Sequence, residues 1–114
     1  MKLSAINLRT PRLSEMVSFY RDALALPCEE RAPGRWEVQV GEVCLALVQG
    51  ENVPPPDPEN CLLEFAVEDV DQVYRRVTGL GFAPQNPPAD LPWGYRYFAL
   101  KDPDGNCVDF VQKL

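Results

Sequence analysis

Histidine is absent from this chain, and cysteine occurs only four times in 114 residues. The first absence removes the commonest ligand of catalytic metal sites and the side chain that most readily moves protons at neutral pH. Cys28, Cys44, Cys61 and Cys107 stand far apart with no C-x-x-C pair, which argues against a thiolate zinc site. Cys44, Cys61 and Cys107 each lie in an apolar run and are expected as small buried hydrophobes. No apolar run approaches the roughly 20 residues of a membrane span, so no membrane partner is expected. The opening MKLSAINLRT shows no apolar signal-peptide region, so the expectation is a cytoplasmic protein with reduced thiols. Basic residues are the minority, 11 against 17 acidic, for a net charge of −6. Such a surface repels phosphate backbones, which excludes nucleic acid as the expected partner and suits a neutral or cationic small ligand.

What is present is an ordinary globular share of apolar residues, 46%, in a length that makes one domain. That domain, residues 1–114, reads as one unit used twice. Leu13, Met16, Val17, Tyr20 and Leu24 recur on one face of a helix, and Thr10-Pro11 suits its start. Val70, Val73, Tyr74, Val77 and Leu80 repeat the pattern, with Asp69 as cap, Gln72 as the returning partner, and Gly79 and Gly81 near the end. Leu8 aligns with Phe65, Leu13 with Val70, Met16 with Val73 and Val17 with Tyr74, at one constant offset. An apolar strand precedes each helix and strand-like segments follow it. The halves are therefore 1–50 and 61–114, joined by a linker over 51–60 that holds four prolines. The proline-rich stretch 84–92 cannot be a central strand, since proline lacks the ladder donor, and is expected as an extended loop over an edge or pocket. Asp102-Pro103-Asp104-Gly105-Asn106 is a strong turn signal.

Alternation along the strands sorts side chains by face. Leu63, Phe65 and Val67 suit packing under a helix, which leaves Leu62, Glu64 and Ala66 on the other face. Val108 and Phe110 likewise leave Cys107, Asp109 and Val111, and Ile6 and Leu8 leave Ala5, Asn7 and Arg9. The polar candidates on that second face are Asn7, Arg9, Glu64 and Asp109. Trp36, Trp93, Tyr95, Tyr97 and Phe98 concentrate in strand-like stretches and beside the proline loop, where rings can stack on a planar ligand and attract a cation.

The segments PWGYRYFALKDPDGNCVDFVQ, from Pro92 to Gln112, and LSEMVSFYRDALAL, from Leu13 to Leu26, resemble the glyoxalase/bleomycin-resistance/dioxygenase family, also called vicinal oxygen chelate. The wording is closest to the bleomycin-resistance-like branch, in which a PWG segment helps line the ligand groove. The resemblance implies an α+β fold: two βαβββ repeats forming a concave, partly closed mixed sheet with helices outside, often as a homodimer. It also places Cys44, Ala46 and Val48 on the concave side. Family enzymes hold a divalent metal with four side chains, and the matching positions here read Ala5, Ala46, Leu62 and Asp109. No metal and no cofactor are therefore expected. The leading expectation is a metal-independent protein that binds a planar or cationic small molecule, using Asn7, Arg9, Trp36, Glu64, Trp93, Tyr97 and Asp109. The alternatives are a metal-free lyase or isomerase with Glu64 or Asp109 as base, and a module whose pocket has filled with side chains.

Overall fold

The repeat resolves into two compact units, Met1–Pro54 and Pro55–Leu114, in a computed structural model that describes every residue from Met1 to Leu114. The first unit holds β1 (Ala5–Thr10), α1 (Leu13–Val17) running into a π-helical turn (Ser18–Ala23), β2 (Cys28–Ala32), β3 (Arg35–Val40) and β4 (Val43–Gln49). The second holds β5 (Leu62–Ala66), α2 (Val70–Gly79), β6 (Ala89–Leu91), β7 (Tyr95–Lys101) and β8 (Cys107–Lys113). Both are βαβββ modules, so the fold is α+β. Their sheets share one topology, β1-β4-β3-β2 and β5-β8-β7-β6. β1 runs parallel to β4 and β5 to β8, while the other neighbours are antiparallel. The strands thus form two open four-stranded mixed sheets.

α2 forms where its start signal stands. The Asp69 carboxylate accepts the Gln72 N–H at 3.1 Å, one of the donors a helix start leaves unpaired. The Val70 N–H goes instead to Oε1 of Gln112, at 2.9 Å, tying the helix start to β8. Val70 and Val77 are fully buried on the sheet-facing side. At the far end the Phe82 N–H reaches back to the Val77 carbonyl, and Gly81 takes a φ of 94° that a larger residue adopts only with strain.

The first helix differs from its expected regular form. Beyond Val17 it widens into a π-helical turn, with the Leu24 N–H donating to the Phe19 carbonyl five residues back. The extra residue per turn rotates the face: Phe19 and Ala23 are buried beside Met16, Val17 and Tyr20, while Leu24 is left half-buried. Thr10 does not cap α1 directly. Its buried hydroxyl accepts the Arg12 N–H at 3.0 Å in the turn before it.

In each unit the helix covers one sheet face, and the core lies between them. The second unit's core is aromatic: Phe98 stacks on Phe110 at 4.9 Å, Phe110 on Phe65 at 5.7 Å, and Tyr74 of α2 meets Phe98 edge-on at 5.3 Å. The 84–92 stretch, expected as a loop, contains the short strand β6. It sits at the sheet's outer edge against β7, the place where flanking prolines are tolerated.

A carboxylate and aromatic recess on the second sheet

The residues of β5, β7 and β8 that face away from α2 follow from the register. Glu64 lies directly beside Asp109, Asp109 beside Ala99, Val111 beside Tyr97, and Tyr97 beside Ala89. Tyr95 pairs with Leu91 one step further along the same face. Glu64, Leu91, Trp93, Tyr95, Tyr97, Asp109 and Val111 together line a recess of ≈ 470 Å³ that opens to solvent. That volume lies within the range of small-molecule sites.

Local backbone chemistry places its rim. Pro92-Trp93-Gly94 is a three-residue hairpin loop between β6 and β7, with Gly94 at a φ of 88° as the last loop residue requires. The Gly94 N–H closes on the Leu91 carbonyl at 3.2 Å, and the Gly94 carbonyl accepts the Leu114 N–H at 2.9 Å. Trp93 is held at the mouth with 70% of its surface exposed, an unusual position for so large an apolar ring. Behind the recess, on the helix side, Arg96 grips both oxygens of Asp71 in α2 at 3.0 Å and Asp90 of β6 at 2.9 Å. This fork fastens the short edge strand to the body of the unit.

Glu64 and Asp109 leave the lining of the recess with unbalanced negative charge. Burial, and then the neighbouring Glu64 carboxylate, push the Asp109 pKa up from its ordinary value. Asp71, on the reverse face, moves the other way because Arg96 hydrogen-bonds its ionised form.

The first unit's open face carries Asn7 and Arg9 on β1, which pair in register with Ala46 and Val48. Arg35 donates to Oδ1 of Asn7 at 3.0 Å and to Glu37 at 3.0 Å, and Arg31 also reaches Glu37 at 2.9 Å. Ala46, between Asn7 and Glu37 in register, is fully buried. Arg9 is exposed.

Of the residues singled out by sequence, Glu64, Trp93, Tyr97 and Asp109 therefore come together, and Asn7 and Arg9 share the open face of the first sheet. Trp36 requires a correction. It pairs with Leu47 and alternates with Arg35 and Glu37, so it lies on the helix side of its sheet, where the Arg21 guanidinium sits 5.6 Å from the ring centroid. One step of strand alternation separates it from any groove containing Asn7 and Arg9. Tyr95, expected among the stacking rings, and Val111, expected on the same face as Asp109, join them in the lining, although neither was counted among the binding residues. Leu91 was missed, hidden in the proline-rich stretch.

The cysteines are all free thiols. Cys61 is exposed, contrary to the buried position its apolar run suggested, because it precedes β5 instead of lying within it. No three His, Cys, Asp or Glu side chains come close enough to share an ion. A tightly bound divalent metal wants three or four such ligands, so the residues present do not fit one.

The glyoxalase/bleomycin resistance protein/dioxygenase superfamily profile matches residues 2–110. Among curated proteins, the uncharacterized protein YraH of Bacillus subtilis (strain 168) is 30% identical, with all of both chains covered. A glyoxalase/bleomycin resistance protein/dioxygenase from Nocardioides superposes with a TM-score of 0.81 at 24% identity, covering 100% of this chain and 84% of that one. A lactoylglutathione lyase from Agrobacterium tumefaciens gives 0.77 at 22% identity over 97% of this chain and 92% of its own. With its paired βαβββ modules and a profile match over nearly its whole length, the chain belongs to the glyoxalase/bleomycin resistance protein/dioxygenase superfamily.

Proposed function

We propose that the protein binds a planar small molecule without a metal, holding it in the recess of the second sheet. The observation that carries this reading is the ≈ 470 Å³ recess itself, lined by three aromatic rings, two aliphatic side chains and two carboxylates. Rings of this kind stack on flat ligands, and each good aromatic contact is worth about 0.5–1.5 kcal/mol beyond its buried area. Trp93 is the reporter, since its ring stands at the mouth. Planar aromatic compounds are expected to raise the melting temperature and shift the Trp93 indole N–H resonance. Replacing Trp93 with Ala should weaken that binding by about tenfold, the size of one buried stacking contact. Failure of every planar compound to do either would refute the reading.

A second reading, a metal-free lyase or isomerase, is favoured by one observation, the raised pKa of Asp109, which moves a carboxylate toward the range of a general base. Asp109→Asn, or Glu64→Gln if that residue is the base, would then abolish turnover while a neutral ligand still binds. The protein is further proposed to act as a cytoplasmic homodimer. Four unpaired thiols suit a reducing compartment, and open sheet faces with Leu62 48% exposed suit association.

A further inference from the structure

Glu64 and Asp109 are direct neighbours on adjacent parallel strands, so their Cα atoms stand about 4.8 Å apart. Like charges placed directly opposite disfavour a sheet. Neither carboxylate makes an ion pair or a side-chain hydrogen bond, although most other acids on the sheet surfaces of the two units do. The arginine nearest in sequence to the recess, Arg96, is spent on Asp71 and Asp90 on the reverse face. Of the ionisable groups on the recess side, Tyr95, Tyr97 and Lys101 come from β7 and Cys107 and Lys113 from β8. Lys101 and Lys113 lie at the two ends of the face, are exposed, and form no ion pair with either acid. A pair of adjacent, unpartnered acids lining an open aromatic recess is the arrangement expected where a ligand supplies the missing charge.

We propose that the recess takes an aromatic cation by its charged end, an amidinium, guanidinium or amine seated against Glu64 and Asp109, with the ring between Tyr95, Tyr97 and Trp93. This rests on the binding reading above and names the chemical class that the paired acids select. A planar amidinium presents two N–H donors to two carboxylates, and such charge-assisted hydrogen bonds are about twice as strong as neutral ones. The rings add attraction for the cation through their faces.

The test is calorimetric titration of the full chain at pH 7 with 2-naphthamidine and with its neutral near-isostere 2-naphthamide, the Trp93 indole resonance confirming the place of binding. The expected result is at least tenfold tighter binding of the amidine. That gap should close in the Glu64→Gln/Asp109→Asn double variant and narrow with added salt in the unaltered protein. Salt dependence keeps the test decisive even if the double variant fails to fold. Equal binding of the two compounds at the Trp93 site would overturn the cation proposal and leave the aromatic recess standing. Binding of neither would overturn both.

Discussion

Asp109 is where the chemistry of the recess can be read from one residue. Its raised pKa means that the folded protein holds the proton more tightly than the unfolded chain does. The stability penalty is therefore absent below the ordinary carboxylate range and is complete once pH has risen through the raised value. Asp109→Asn should accordingly raise the melting temperature at pH 7 and leave it nearly unchanged near pH 3, where the wild-type carboxyl is mostly protonated. A loss of stability at pH 7 would mean that the carboxylate has a favourable partner. Which face Asp109 occupies was legible from alternation with Val108 and Phe110, and Glu64 likewise from Leu63 and Phe65. Trp36 was not, because a large ring in a half-buried strand reads equally well as core or groove. Only its pairing with Leu47 and the Arg21 cation over it decide the matter.

Among the elements, α2 was the most legible, since a side-chain cap, a periodic apolar face and a closing glycine all agree. Asp69→Ala removes the acceptor of the Gln72 N–H and should cost about 1 kcal/mol, measured by chemical denaturation. The first helix was legible only up to Val17. A π-helical turn depends on where the following chain must pack, and its sequence carries the same residues as a regular helix. β6 was illegible for a related reason: three residues between prolines carry no periodicity, and its pairing comes from β7 and the Arg96 fork. The hairpin loop beside it gives a direct check. Gly94→Ala meets no neighbouring atom within 4 Å but must adopt a φ of 88°. It should therefore cost about 1–2 kcal/mol from the backbone alone and shift the Trp93 resonance, because the turn that presents the ring changes.

For the molecule as a whole, the doubled βαβββ order followed from the offset between the two helices and the strands before them, and the superfamily profile agrees. The recess was legible only in part, because it depends on which strands are neighbours. The sequence shows Glu64 and Asp109 as distant acids, and the parallel pairing of β5 with β8 makes them a pair. Ligand binding is proposed for one unit's recess, with no part in it for a metal. Native mass spectrometry of the purified protein with 2-naphthamidine, with and without Mn²⁺, Ni²⁺ or Zn²⁺, tests this most directly. The expected result is a dimer that retains one ligand per chain in the metal-free sample and gains no stoichiometric metal when ions are added. A metal held at one per chain, with ligand retained only in its presence, would contradict it.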